Sequence, residues 1–267
     1  MTWLGWVFLA LLFAHTAQAV YTNIREAGTS KPSSGEESPE TPGRTVPRRY
    51  PREILLQAPM FYIACYFAFQ QGVFSRELVS PFHIGLGLAA GHLVFGASLL
   101  ITHRCFRDAW SYFVDFSSLW AYLRESPLII GRFLLVGFSE ELIWRVAAQP
   151  LVIYLCARAS AALLGGVEWP GVMMGIGVVA LLFAIAHRHF FENTFMVSLE
   201  FLGFAILLGV LYYLTSSFIL VVVIHAMRDI EITFLEYLIK LDELGDEEEA
   251  ARVIEQSVLK RPRPERS

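Results

Sequence analysis

Charged side chains are scarce in this chain of 267 residues, of which Asp, Glu, Lys and Arg together make up 17%. A soluble domain usually carries about a quarter of such residues. In contrast, 55% of the residues are hydrophobic and the mean hydropathy is +0.50. This composition predicts a chain that crosses a lipid bilayer several times. The small net charge of −4 argues against nucleic acid as a partner.

Cysteine is also sparse. Cys65, Cys105 and Cys156 are odd in number, far apart, and form neither a CxxC nor a zinc-binding spacing. We interpret them as small apolar packing residues. Internal repeats, heptads and strand-like alternation are missing from the sequence as well. The predicted fold class is therefore all-α, a polytopic transmembrane helix bundle.

Apolar stretches of about 20 residues span a bilayer as helices, and the sequence contains about eight of them. Two adjoin at Pro150, which either separates two helices or kinks one long helix. The predicted spans are 3–21, 54–74, 83–102, 127–146, 147–166, 170–187, 194–214 and 216–240.

These spans divide the chain into four parts. Residues 1–21 are a first transmembrane span or, because of the "AQA" at 17–19, a signal sequence that is removed. A flexible loop rich in Ser, Pro and Glu follows at 22–53. The helix bundle occupies 54–240, and a charged tail occupies 241–267. Within the bundle, 108–125 mixes aromatic and charged residues, which is typical of a helix lying at the membrane interface.

The stretch "SEELIWRV" places charges inside an apolar run. Ionisable groups at membrane depth are costly, so they pair, line a wet cavity or perform chemistry. On an α-helix Glu141 and Arg145 share a face and can pair. Glu140 points about 100° away from that pair. A carboxylate in such an apolar setting is suited to act as a general base or acid.

Two further predicted spans carry a histidine at the same spacing from an aromatic or acidic residue. Phe183 and His187 are four residues apart in "FAIAHRHFF", and His225 and Asp229 are four apart in "VVVIHAMRD". A His–Asp pair can fix the imidazole tautomer or present polar groups to a substrate oxygen. Glu140, His187 and His225 also have the chemistry of metal ligands, but no HExxH is present and we predict no metal.

Other polar residues of the spans are interpreted as packing, interface or helix-contact residues. They are His15, His83, His92, His103, His189, Arg132 and Glu200.

The three motifs EExxxR, FxxxH and HxxxD, in this order on separate helices, resemble those of the CPBP intramembrane glutamic endopeptidases. Within that group the chain is most similar to the type II CAAX prenyl endopeptidases, the Ras-converting enzymes. The segment "RRYPREI" before the second span and the basic, aromatic surroundings of "AHRHF" resemble the same branch. The likeness rests on about 127–235.

The resemblance implies roles for six residues. Glu140 would activate a water molecule, and His187 would help to hold and polarise it. His225 and Asp229 would stabilise the oxyanion of the tetrahedral intermediate, while Glu141 and Arg145 would support Glu140. Asp229 stands where the prenyl branch usually has Asn. An ionised Asp only accepts hydrogen bonds, so Asp229 is either protonated or orients His225.

The resemblance also implies a substrate and a location. The family removes the last three residues from CaaX proteins, such as Ras-like small GTPases, whose cysteine carries a farnesyl or geranylgeranyl group. It works as a multi-pass protein of the endoplasmic reticulum membrane, without a cofactor. Two alternatives share the polar residues: a related protease for non-prenylated peptides, and a non-catalytic scaffold or proton-coupled transporter with a buried Glu–His relay.

Overall fold

A computed structural model of the chain describes residues 1–29, 50–76, 80–102, 106–187 and 189–259. These residues fold into helices, and no β-strand occurs among them, which confirms the all-α fold class. The loop predicted at 22–53 lies mostly outside the described residues, and so do Cys105, His103 and the end of the tail at 260–267.

The helices follow in chain order, with one π-helix between α7 and α8. They are α1 (Trp3–Thr29), α2 (Tyr50–Gln70), α3 (Val73–Arg76), α4 (Pro81–Thr102), α5 (Phe106–Phe113), α6 (Phe116–Glu125), α7 (Pro127–Glu141), the π-helix (Leu142–Ala148), α8 (Gln149–Leu163), α9 (Trp169–Ala186), α10 (His189–Glu192), α11 (Phe195–Thr215), α12 (Phe218–Leu244) and α13 (Glu247–Leu259).

Within the described part of the chain, five helical stretches are long and apolar enough to cross a membrane. They are Trp3–Arg25, Pro81–Ile101, Pro127–Leu163, Trp169–Ala186 and Phe195–Thr215. The protein is therefore a membrane protein with several spanning helices. The count is lower than the predicted eight because two predicted spans merge into Pro127–Leu163, and because α2 and α12, which cover most of 54–74 and 216–240, are not among the five.

The merged stretch stays helical through Pro150. A proline in a helix cannot donate to the carbonyl four residues earlier, which here is that of Val146. The side-chain amide of Gln71 donates to this carbonyl at 3.2 Å. This hydrogen bond helps to satisfy the Val146 carbonyl, to which Pro150 has no N–H to donate.

The helices form two compact units. The first comprises Met1–Gln71 and Leu142–Val210, and the second comprises Gly72–Glu141 and Leu211–Ser267. In the first unit, α9 packs closely on α8 through Gly171 and Gly175. A Cβ at Gly171 would lie 2.3 Å from the Cys156 carbonyl oxygen, and one at Gly175 would lie 2.7 Å from Cα of Ile153. Small residues four apart permit such close contact of membrane helices.

In the second unit, α4 packs on α12 in the same way through Gly87 and Gly91. A Cβ at Gly87 would lie 2.8 Å from Cβ of Val223, and one at Gly91 would lie 2.6 Å from Cβ of Met227. A hydrophobic core also joins α6, α7, α12 and α13, and in it the rings of Tyr122 and Tyr237 stack with centroids 4.9 Å apart. Helix α12, which carries His225, is thus closely packed against α4 and within the core that it shares with α6, α7 and α13.

The predicted interface helix at 108–125 is two helices, α5 and α6, with Asp115 between them. Asp115 caps α6, since its carboxylate accepts a hydrogen bond from the backbone N–H of Ser118 at 3.1 Å. Partial burial acts to raise the pKa of Asp115, but the hydrogen bonds from Ser118 and Ser117 outweigh it and lower the pKa below its ordinary value. The composition predicted a single helix, and the cap at Asp115 divides it into two.

Candidate active site

Helix α12 carries the HxxxD motif. Ser217 caps its N-terminus, accepting a hydrogen bond from the N–H of Leu220, and the helix continues to Gly245, which adopts the left-handed conformation (φ 67°). Glycine is favoured at such a C-terminal position because it has no Cβ to clash. The capped helix holds His225 and Asp229 one turn apart.

Helix α7 approaches α12 at His225. A Cβ at Gly137 would lie 3.2 Å from the carbonyl oxygen of Val222 and 3.6 Å from Cβ of His225. Gly137 is buried one turn before Glu141. The absence of a side chain at Gly137 therefore lets α7 come close enough to α12 for Glu140 and Glu141 to reach the imidazole of His225.

Three carboxylates surround the His225 ring. Glu141 Oε1 lies 2.7 Å from Nδ1, while Glu140 Oε2 and Asp229 Oδ2 lie 3.7 Å and 3.6 Å from Nε2. The side chains of Glu141 and His225 are 0% and 4% exposed, whereas those of Glu140 and Asp229 are 28% and 22% exposed. Buried Glu141 thus fixes the His225 ring, while Glu140 and Asp229 form the accessible side of the cluster.

The hydrogen-bonding capacity of these groups indicates how the ring is held. Ionised carboxylates only accept hydrogen bonds, so the short contact requires that Nδ1–H of His225 donates to Glu141. The distances from Nε2 to Glu140 and Asp229 are those of ion pairs rather than hydrogen bonds. A buried acceptor therefore sets the ring orientation, while two carboxylates face the nitrogen on the accessible side.

Arg145 lies in the π-helix Leu142–Ala148, every residue of which is buried. The EExxxR segment is helical, but its register changes directly after Glu141. The Glu141–Arg145 pair was predicted from α-helical spacing, which this change of register modifies, and the pair stays a prediction. In the first unit the guanidinium carbon of Arg145 lies 5.5 Å from the ring centroid of Phe183, a distance at which cations and aromatic faces attract.

His187 lies immediately after α9 with an extended backbone. Its Nδ1 is 2.7 Å from the carbonyl oxygen of Phe183, and its ring centroid is 4.4 Å from that of Phe183 and 5.4 Å from that of Phe201. Since a carbonyl only accepts, we assign a proton to Nδ1, and in the neutral tautomer with this proton Nε2 is an acceptor. The FxxxH spacing therefore corresponds to a contact between Phe183 and His187.

The six predicted site residues are divided between the two units. Glu140, Glu141, His225 and Asp229 meet in the second unit, and Arg145 and His187 belong to the first, where both contact Phe183. Among the described residues, no group of three or more His, Cys, Asp or Glu is arranged to hold a metal ion.

Sequence reasoning missed a polar contact away from the motifs of the second unit. His92, interpreted as a packing residue, lies with Nδ1 2.6 Å from Oε1 of Glu231. The two residues are 139 positions apart, and no local spacing could reveal the pair. The available indication was a glutamate within the mostly apolar first part of α12, since a buried charge needs a partner.

The fold and the site together define a class: an all-helical membrane protein that holds glutamate, histidine and aspartate in contact, the residue types of acid–base hydrolysis. Residues 122–230 match the family model described as type II CAAX prenyl endopeptidase Rce1-like. The match includes all three motifs, and it confirms the resemblance of this region to CAAX-type intramembrane proteases. No curated protein and no solved structure matches the chain.

Proposed function

We propose that the protein is an endopeptidase that removes the C-terminal tripeptide from farnesylated or geranylgeranylated CaaX proteins, using a water molecule activated by Glu140. The observation that carries this proposal is the contact of Glu140, Glu141 and Asp229 with the single ring of His225. The family match supports it, because CaaX prenyl endopeptidases are named for this substrate.

The chemistry begins at Glu140. Its carboxylate takes a proton from water, and the hydroxide oxygen bonds to the carbonyl carbon of the prenylated cysteine, whose oxygen becomes an oxyanion. The protonated Glu140 then gives the proton to the leaving amine as the C–N bond breaks. The products are a protein that ends in the prenylated cysteine carboxylate and a free tripeptide.

His225 stabilises the oxyanion in this proposal. With Nδ1–H donating to Glu141, a second proton on Nε2 makes the ring a donor on its accessible side. Asp229, 3.6 Å from Nε2, balances the charge of that doubly protonated ring and orients it. Asp229 thus acts through His225 and does not need to donate a hydrogen bond itself.

His187 and Arg145 have supporting roles. For His187 the resemblance implies that it helps to hold and polarise water, and Nε2, opposite the nitrogen that donates to Phe183, is the atom suited to accept from it. Arg145 steadies Phe183 by lying over its ring. The role of His187 follows the family resemblance, and its hydrogen bond to the Phe183 carbonyl supports it. The role of Arg145 rests on its contact with Phe183, whereas the resemblance implies support of Glu140.

The partners follow from the substrate. The isoprenoid stays in the apolar phase while the CaaX peptide reaches the polar cluster, as the spanning helices and the partly exposed Glu140 and Asp229 permit. Ras-like small GTPases that end in a CaaX box are suitable substrates. We place the protein in the endoplasmic reticulum membrane and expect no metal or other cofactor to be needed.

The test uses purified protein in liposomes, a farnesylated CaaX peptide and its unprenylated twin, with release of the tripeptide as the readout. Wild-type protein should cut only the prenylated peptide. Glu140→Gln should lose activity by about 10²- to 10⁴-fold, the usual effect of removing a general base. Glu125→Gln, which changes an exposed glutamate of α6 paired with Arg124, is the matched control.

Other outcomes would redirect the proposal. Cleavage of both peptides would favour a protease for non-prenylated substrates, and retention of activity in Glu140→Gln would remove Glu140 from the chemistry. If folded wild-type protein cuts neither peptide, a scaffold or transporter becomes the better explanation of the polar cluster.

A further inference from the structure

Helix α12 is held from two sides by hydrogen bonds between histidine and glutamate. On one side His225 of α12 bonds to Glu141 of α7 at 2.7 Å, and on the other Glu231 of α12 bonds to His92 of α4 at 2.6 Å. In the first bond α12 supplies the histidine, and in the second it supplies the glutamate. His92 and Glu231 lie outside the region 122–230 that matches the family model.

The second bond lies in a dry, aromatic environment. The side chain of Glu231 is 0% exposed and that of His92 is 16% exposed. The His92 ring stacks on Phe113 with centroids 4.2 Å apart and lies 4.8 Å from the ring of Phe116. The remaining polar atoms, Glu231 Oε2 and His92 Nε2, are buried and bond to no described residue. Breaking this contact would leave a buried carboxyl group and a buried ring nitrogen without hydrogen bonds, so the pair resists separation.

The spacing along α12 makes this pair an independent constraint on His225. From His225 to Glu231 an α-helix rises about 9 Å and turns by a net angle of about 240°, so the two side chains leave the helix on different sides. The close approach at Gly87 and Gly91 fixes the distance between α4 and α12. A contact through glycines, however, gives less control over rotation than a directional hydrogen bond.

We propose that His92 and Glu231 are a positioning pair for the active site. Their hydrogen bond fixes the rotation of α12 about its axis, and this rotation directs His225 and Asp229 towards Glu140. The pair touches no reacting atom and acts only through α12. The inference rests on the proposed function for its kinetic consequence, while its structural consequence, the orientation of His225, is independent of any substrate.

The test must separate positioning from simple stability. Glu231→Leu removes the acceptor of the His92 ring, and His92→Leu removes the donor to the buried carboxyl group of Glu231. Both variants should therefore have a lower free energy of unfolding and a lower kcat. In the double variant His92→Leu/Glu231→Leu neither group is left unpaired, and stability should return towards that of the wild type. Glu231→Gln keeps an acceptor oxygen for Nδ1–H. His83→Leu replaces another histidine of α4 and serves as the matched control.

The kinetic prediction concerns the double variant. It should melt close to the wild type, yet its kcat on the prenylated peptide should stay at least about tenfold lower, with KM changed less than about threefold, because rotation of α12 misplaces groups that act only in the transition state. Glu231→Gln and His83→Leu should keep nearly all of the activity. A double variant with wild-type kcat would overturn the proposal.

A second measurement does not depend on cleavage. In protein with nitrogen-15-labelled histidine, the His225 ring resonances can be assigned by their loss in His225→Gln. They should shift in the double variant and remain unchanged in Glu231→Gln and His83→Leu. If they do not move, the positioning role is refuted whatever the kinetics show. If they move although wild-type protein cuts no peptide, the positioning role stands and the proposed function fails.

Discussion

Glu141 and His225, 84 positions apart in sequence, form a buried hydrogen bond of 2.7 Å in which the ring Nδ1–H donates to the carboxylate. The second glutamate of the EExxxR motif is therefore the group that orients the histidine of the HxxxD motif. The first glutamate, Glu140, faces the opposite ring nitrogen at 3.7 Å and is 28% exposed. The adjacent pair thus divides into a buried residue that holds the ring and an accessible one suited to chemistry.

Replacing Glu141 tests this division. Glu141→Ala leaves Nδ1–H of His225 buried without its acceptor, which should cost about 1–3 kcal/mol of stability and lower kcat. Glu141→Gln retains an acceptor oxygen and should lose less of both. Thermal unfolding in detergent and tripeptide release from the farnesylated peptide measure the two effects. Equal behaviour of Ala and Gln would show that the hydrogen bond does not orient the ring.

Asp229 is tested by two substitutions of similar size. Asp229→Asn removes the charge that balances the His225 ring, but it keeps an oxygen that can orient the ring and adds an NH₂ group that can donate to the oxyanion directly. Because the new donor offsets the lost charge, kcat should stay within about threefold of the wild type, less than 1 kcal/mol in barrier height. Asp229→Leu removes the polar group and should lower kcat by at least about tenfold, or 1.4 kcal/mol. A large loss in Asp229→Asn would mean that the negative charge itself is required.

A glycine of α11 offers a paired test in the first unit. A Cβ at Gly209 would lie 2.9 Å from Cγ2 of Ile176, 3.1 Å from Oε1 of Gln149 and 3.5 Å from Nη1 of Arg145. Gln149 donates to the Gly209 carbonyl at 2.8 Å, and both Gln149 and Arg145 are buried. Gly209→Ala should therefore destabilise the protein by about 1–3 kcal/mol through overpacking and should lower activity through Arg145.

The control for that substitution is Gly203→Ala on the same helix. A Cβ at Gly203 would meet no atom within 4 Å, so this change should be neutral or should stabilise the helix by up to about 1 kcal/mol. Unfolding midpoints and tripeptide release of the two variants, measured side by side, give the comparison. If Gly203→Ala is as harmful as Gly209→Ala, the contact with Gln149 and Arg145 is not the cause.

The sequence predicted those features that depend on local helical geometry. Phe183–His187 is a real contact because α9 is regular up to Ala186, and Asp229 faces His225 because α12 is regular from Phe218. The sequence "EELIWR" gives no indication of the π register of Leu142–Ala148, and the Glu141–Arg145 pair stays a prediction. Glu141–His225 and Glu231–His92 depend on the packing of helices far apart in sequence. One sequence contains no record of such contacts.

The boundary between α5 and α6 gives the last prediction, which depends on pH. Hydrogen bonds lower the pKa of Asp115 below its unfolded value of about 3.9, so the stabilisation of α6 by the cap is present above that pH and is lost as the pH falls through the lower folded value. Asp115→Ala should cost α6 about 1 kcal/mol near neutral pH. Asp115→Asn should retain most of the cap and remove its pH dependence. Hydrogen exchange of the Ser118 amide reports the effect, and an Asn variant that frays in acid as the wild type does would assign the change to another group.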